Sequence, residues 1–176
     1  MISTQAFNIE PLSLLDVKSL NKLMVSNAEN FKDYLPKTLN QNLTLEASQK
    51  FVVSKVEKHI SKDELLFVIK ENQNNEVVGL VYIKELDWNK MQGEFAYCID
   101  PRFEGKGWMS QTIKLLSYYA LDELGLKTLQ IIAHKSNLGS IKVAENCNFI
   151  WQKTLINEYT PPNKSPLDME LYELYK

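Results

Sequence analysis

Apolar positions change their period along this chain, and the changes divide it into elements. Leu20, Leu23, Met24 and Ala28 recur at helical spacing, behind a Ser13-Leu-Leu-Asp16 stretch with the capping-box pattern of a helix start. The Leu35-Pro36 pair breaks that region, because proline disfavours helix at and before its own position. A second helix is predicted from Thr44, with Val52, Val56 and Ile60 as its inner stripe. The pattern then turns strand-like. ELLFVIKE and EVVGLVYIKE read as strands, the polar cluster NQNN between them supplies hairpin-turn chemistry, and a further strand is predicted over 93–100, GEFAYCID.

In the second half, Met109, Ile113, Leu116, Ala120 and Leu124 mark a strongly amphipathic helix, and Gly125 stands where a left-handed C-terminal cap belongs. KTLQIIAH follows as a strand, and strand, crossover helix and strand together make a right-handed parallel unit. SNLGSIKVAENCN reads as a short helix. FIWQKTLINEY and MELYELY read as closing strands, separated by the Pro-rich segment TPPNKSP at 160–166. The order is two helices, a three-strand meander, a βαβ unit, a helix and a closing hairpin. It predicts a mixed α/β (α+β) fold, not a doubly wound nucleotide-binding one, in a single domain over 1–176.

Composition narrows the function classes. The chain has 176 residues, 44% hydrophobic and 24% charged, which is ordinary for a globular domain with a real core. A formal net charge of −2 gives no electrostatic footprint for nucleic acid, though a slightly acidic surface tolerates a cationic substrate. MISTQAFNIE lacks the charged and apolar regions of a signal peptide, and no run approaches the roughly 18 apolar residues of a membrane span. The expectation is a cytoplasmic protein with no membrane or direct nucleic-acid partner. Cys98 and Cys147 lie far apart without a Cys-x-x-Cys, and His59 and His134 form no ligand spacing with them, so no metal is expected.

The candidate chemistry centres on PRFEGKGWMS at 101–110, which contains Arg102, the only arginine of the chain. A helix beginning near Gly107 points its unpaired N–H groups and positive dipole end back into the loop. Gly105 and Gly107 let backbone approach a ligand, and Arg102 and Lys106 add positive charge. These features suit a diphosphate; they also fit a plain strand-to-helix turn. The segment is not a Walker loop, and it lacks the third glycine and distal acid of a dinucleotide fingerprint.

At this point the sequence resembles a family. Arg102-Phe-Glu-Gly105-Lys-Gly107 is similar to the Gln/Arg-x-x-Gly-x-Gly/Ala loop by which GNAT-superfamily acetyltransferases hold the pyrophosphate of acetyl-CoA. The stretch Asn137-Leu-Gly-Ser140-Ile-Lys-Val-Ala-Glu-Asn-Cys-Asn148-Phe149 resembles their second signature, an Asn-x-x-Ser helix ending in Gly-Phe. Within the superfamily, GWMSQTIKLLSYYAL and the Asn-x-x-Ser pair most resemble the RimJ/RimL-type ribosomal-protein N-acetyltransferases. The specific motifs lie between Glu94 and Phe149.

The resemblance implies a GNAT-like fold: a central mixed, mostly antiparallel sheet with one parallel, splayed strand pair and helices on both faces. It implies acetyl-CoA as co-substrate, with no metal. The pantetheine arm would pair with backbone at Tyr97, Cys98 and Ile99. The pyrophosphate would sit on the amides of Glu104, Gly105, Lys106, Gly107, Trp108, Met109 and Ser110, with Arg102 nearby. Asn137 would bind the pantetheine amides, and Ser140, one turn on, would protonate the departing thiolate or orient a water that does; a helix residue bonding locally to backbone is the plainer reading of Ser140. Amine attack needs a neutral amine, and Glu94 is the candidate base. It shares a strand face with Ala96 and Cys98 by alternation, and an exposed strand-end carboxylate is the plainer alternative. Direct transfer needs no acyl-enzyme, so Cys98 reads as wall packing. Two departures stand out: the tyrosine acid of many relatives is Ala144 here, and a loop acid of some RimL-type relatives is Pro101. Asn148 replaces the signature glycine, a mild change because asparagine also accepts a left-handed cap. Phe31, Tyr34, Trp88 and Tyr159, with the TPPNKSP segment, would line the acceptor site. The acceptor implied is a protein N-terminal amine, such as that of a ribosomal protein, with a polyamine, amino sugar or other small amine as the alternative. An acyl-CoA-binding relative without catalysis, and a homodimer, are also open.

Overall fold

The unbroken apolar runs become buried strands. The computed structural model describes residues 1–161 and 165–176. Its strands are β1 (Ile2–Ser3), β2 (Phe7–Pro11), β3 (Leu65–Glu71), β4 (Val77–Asp87), β5 (Gln92–Ile99), β6 (Thr128–Ala133), β7 (Ile150–Tyr159) and β8 (Leu167–Tyr175). Its helices are α1 (Val17–Ser26), α2 (Ala28–Phe31), α3 (Pro36–Asn40), α4 (Leu45–Ser61), α5 (Trp108–Tyr118) and α6 (Leu138–Asn146). The strands form one mostly antiparallel sheet of eight in the order β1-β2-β3-β4-β5-β6-β8-β7, with β5–β6 as the parallel pair. Two compact units divide the chain, Met1–Tyr82 with Tyr97–Lys106 and Ile83–Ala96 with Gly107–Lys176, so β4 and β5 run through both.

In the first unit, β3 is buried from Leu65 to Lys70, and the α1 stripe of Leu20, Leu23 and Met24 is buried as its spacing predicts. Sequence pattern missed β2, whose Phe7 and Ile9 are buried and pair with β3 in the register Ile9↔Ile69. The run alternates, with Phe7 and Ile9 inward, but only two apolar positions carry the pattern before Pro11 ends it. Lys70 interrupts an apolar strand because its Nζ meets Glu10 and Asp16 carboxylates at 2.7 Å each, and Asp16 also accepts from the Ser13 N–H at 2.9 Å. Pro36 does not only break a helix; it occupies the first turn of α3, where its missing N–H costs nothing. On α4, Val52 is fully buried but Ile60 is 77% exposed, against its predicted place in the inner stripe. Each four-residue step overshoots a helical turn by about 40°, so the line from Val52 through Val56 has wound toward solvent by Ile60. His59 takes the inward place, edge-on to Phe67 at 5.2 Å between ring centres.

In the second unit, β5 and β6 pair from Gln92↔Thr128 to Phe95↔Ile131, and the register stops there although β6 continues to Ala133. Burial on β5 alternates through Gly93 and Phe95, then slips by one residue between Ala96 and Tyr97, so the simple alternation that placed Cys98 with Glu94 does not hold. β8 lies between β6 and β7, antiparallel to both. Met109, Ile113, Leu116 and Ala120 are buried as predicted. The helix then widens into a π turn at Tyr119–Glu123, where the Leu124 N–H bonds five residues back to the Tyr119 carbonyl. That extra residue takes Leu124 partly off the buried stripe. Gly125 is left-handed (φ 75°), as is Asn148 (φ 63°), the two caps read from sequence. Phe149 after the second cap packs edge-on to Phe95 at 6.3 Å.

Candidate active site

The segment between β5 and α5 is built around a buried carboxylate. Asp100 is 4% exposed and caps a 3-10 turn over Pro101–Phe103 by accepting from the Arg102 N–H at 2.9 Å. Proline after an N-capping aspartate starts such a turn at no cost. The Arg102 guanidinium folds back on the same carboxylate, Nε to Oδ1 at 3.0 Å and a terminal nitrogen to Oδ2 at 2.8 Å. Asn27 adds a donor at 3.3 Å, and the Asp100 N–H bonds Val78 at 2.7 Å. These donors hold the Asp100 carboxyl below the usual carboxylate range, the Arg102 bond first among them. The Glu104 N–H bonds the Pro101 carbonyl at 3.2 Å, so that amide is committed inside the turn. Lys106 Nζ sits 4.7 Å from the Phe103 ring centre, and the Arg102 guanidinium lies 5.7 Å from the same ring.

Gly105 (φ 70°) and Gly107 (φ 76°) are both left-handed, and a Cβ built on either meets no protein atom within 4 Å. Gly107 caps α5, and the first bond inside the helix is from the Gln111 N–H to the Gly107 carbonyl at 2.9 Å. Trp108 and Ser110 are half-buried and Met109 is buried. The Ser110 carbonyl accepts from the Cys147 thiol at 3.2 Å. On α6, the Asn137 side chain caps the helix, its Oδ1 accepting from the Ser140 N–H at 3.1 Å, which brings the two signature residues together. Ala144 is fully buried, so the position that would carry a tyrosine acid is packed core.

Glu94 is not an exposed strand-end carboxylate. Its side chain is 14% exposed and pairs with Lys84 Nζ at 2.7 Å. Burial pushes its carboxyl above the usual range; Lys84 opposes the shift, and the charges of Glu85 and Glu158 add to it. Tyr97 and Ile99 are half-buried, and Cys98 is buried with its thiol pushed up to about 12 by desolvation. A thiol so protonated is packing, not a nucleophile. Of the acceptor candidates, Phe31 is buried and Tyr34 is exposed in the first unit; Trp88 is exposed and Tyr159 half-buried in the second. Residues 162–164 of the TPPNKSP segment lie outside the described residues. Among the described residues no three His, Cys, Asp or Glu side chains gather as a metal site, and no helix is long and apolar enough to cross a membrane.

Sequence reasoning missed Asp100, Asn27 and Lys84. Asp100 had a signal, the Asp-Pro-Arg string of a capped turn, and Lys84 had one in the opposite charges facing each other across the β4–β5 hairpin. Asn27 had none.

Comparison with known proteins agrees with this layout. Among curated proteins, the chain is 25% identical over 150 residues to the probable N-acetyltransferase YjcK of Bacillus subtilis (strain 168), covering 85% of this chain and 83% of that one. It is 30% identical over 104 residues to spermidine N(1)-acetyltransferase of Escherichia coli (strain K12), covering 58% of this chain and 55% of that one. Among solved structures, RimL, a ribosomal L7/L12 alpha-N-protein acetyltransferase in complex with coenzyme A, shares the fold with a TM-score of 0.90 at 18% identity, covering 98% of this chain and 95% of that one. The family described as acetyltransferase (GNAT) domain matches residues 7–150, across the capped turn, both left-handed glycines and the Asn137–Ser140 helix; the chain belongs to that family, and it is an N-acetyltransferase.

Proposed function

We propose that this protein transfers an acetyl group from acetyl-CoA to the N-terminal α-amine of a protein. The observation that carries the cofactor half is the pair of left-handed glycines, at which a Cβ would enter space that no protein atom fills. Positive φ favours glycine at both positions, and the open space beside their backbone admits a ligand with no side chain in the way. The amides from Gly105 through Ser110, at the start of an 11-residue helix, fit a diphosphate in charge and geometry. Glu104 lends the turn its shape, not its amide, and Arg102 serves through Asp100 more than through the ligand. Tyr97, Cys98 and Ile99 offer backbone to the pantetheine amides, and Asn137 its side-chain amide.

Acetyl-CoA supplies a thioester carbon for the amine to attack. Glu94, raised toward the working range by burial, takes the proton that turns the ammonium into a nucleophile, directly or through water. Two protons leave the nitrogen in all: one ends on the CoA sulfur, delivered by Ser140 or a water it orients, and the other in solvent. The C–N bond forms as the C–S bond breaks.

The α-amine acceptor follows the RimL-type motifs and the fold shared with the ribosomal-protein enzyme. A polyamine is the second reading, favoured by the match to a spermidine acetyltransferase and by Glu85 and Glu158 around Glu94, a field suited to a polycation. A thermal-shift series decides the cofactor: acetyl-CoA raises Tm while ATP and NAD do not, and stabilisation by ATP alone would sink the assignment. An acceptor screen then sets peptides beginning Ser, Ala or Met against spermidine and amino sugars, with CoA release as readout. Turnover with spermidine alone selects the second reading.

A further inference from the structure

The pair that holds Glu94 belongs to a longer polar row. The registers set Glu94 beside Gln130 and Gln130 beside Glu173, so these side chains share one face of β5, β6 and β8. Gln130 donates to Glu173 at 2.6 Å and accepts from Gln92 at 3.0 Å. Glu173 also accepts from the Tyr175 hydroxyl. On the other side of Glu94, Lys84 of β4 closes the row. The charges that act on Glu94 are those of Lys84 and Glu85 from β4 and Glu158 from β7, with Lys84, the one cation, strongest among them and the only one in contact; Gln130, its neighbour on β6, carries no charge.

Burial is the largest cause that raises Glu94, and the two carboxylates add a smaller push. A carboxylate with most of its surface removed from water takes up a proton unless a cation is held against it, as Lys84 is at 2.7 Å. A protonated Glu94 could not receive the proton of an incoming ammonium. We propose that Lys84 is a positioning residue for the reaction, the resident counter-ion that keeps the Glu94 carboxylate charged and oriented until the acceptor's ammonium takes its place. The proposal rests on Glu94 as the base of the reading above. Lys84 suits the exchange: its side chain is 31% exposed, so its ammonium can withdraw into water on a flexible stem while the carboxylate stays behind.

The test follows the proton directly. In protein labelled with ¹³C at the glutamate carboxyl, the Glu94 resonance is the one absent from Glu94→Gln. Removing an opposite charge disfavours the ionised form, so Lys84→Gln should move its titration midpoint upward by about one pH unit or more, and Lys84→Arg should restore it. The acid limb of kcat/KM, with a Ser-initiated peptide or spermidine as acceptor, should move upward with it, which loss of a merely structural contact would not produce. A Glu94 midpoint unchanged in Lys84→Gln overturns the proposal. So does a midpoint that moves while the acid limb stays, since Lys84 would then hold Glu94 without serving the reaction. Absence of transfer by the unmodified protein to both acceptors would instead overturn the acceptor readings above, and the resonance arm would still report whether Lys84 governs the charge of Glu94.

Discussion

Asp100 and Glu94 lie six residues apart in sequence, both are carboxylates withdrawn from water, and both face a cation; yet their proton affinities move in opposite directions. Asp100 is the more buried of the two, 5% exposed at the side chain against 14%. Burial raises both; at Glu94 it is the largest cause, while at Asp100 the Arg102 hydrogen bond outweighs it. Asp100 takes a bidentate guanidinium, its own turn's N–H and an asparagine amide, enough donors to compensate desolvation. Glu94 has one ammonium, and two carboxylates act against it. One group is locked as an anion that shapes a loop; the other, in the mechanism proposed above, trades a proton, and such divergence lets one functional group serve structure in one place and chemistry in another.

Substitutions can break this division of labour. Gly107→Glu should have the largest effect, abolishing the acetyl-CoA-induced rise in Tm, because a side chain and a negative charge enter the space beside the α5 amides. Glu94→Gln should leave that rise intact and lower kcat by about 10²–10⁴-fold, the range for a positioned base. Asp100→Asn should show the converse split, raising KM for acetyl-CoA by about tenfold with kcat nearly unchanged, as a charge-assisted clamp is lost without touching the proton path. The same residue predicts an acid-side signature. Its folded carboxyl is held low, so its contribution to stability is present above the unfolded range and disappears as pH falls through the folded value; the Tm of the ligand-free unmodified protein should fall across that range, and Asp100→Asn should lack that component of the fall. Ser140→Ala should be mildest, slowing turnover by less than about tenfold: the Asn137 cap uses the Ser140 backbone N–H, and water can deliver a proton to a thiolate. If Ser140→Ala costs as much as Glu94→Gln, the serine is central to the chemistry and not an aid to it.

Much of this was legible in the residues. Apolar runs announced β3 and β4, and both left-handed caps, Gly125 and Asn148, stand where the chain needs positive φ. The two signatures located the loop and the Asn137–Ser140 turn. What stayed hidden had physical reasons. β2 shows its alternation over only two apolar residues, too few to stand out, and is a strand because β3 offers it an edge. Ile60 was misplaced by counting in fours on a helix that turns in 3.6. The slip in alternation after Ala96 and the π turn at Tyr119–Glu123 each shift phase by one residue, which no fixed period anticipates. Asn27 joins Asp100 across 73 residues of sequence, a meeting that only tertiary structure creates.

The buried Cys98 thiol offers a way to watch β5 itself. With its proton held to about 12 and its sulfur out of water, it should ignore alkylating reagents for as long as the strand stays closed. Labelling at Cys98 then becomes a clock for opening of the strand that carries both Glu94 and the entry to the glycine loop. Run with and without acetyl-CoA, that clock would read whether the cofactor fastens β5 as the proposed site requires, with no acceptor in the tube.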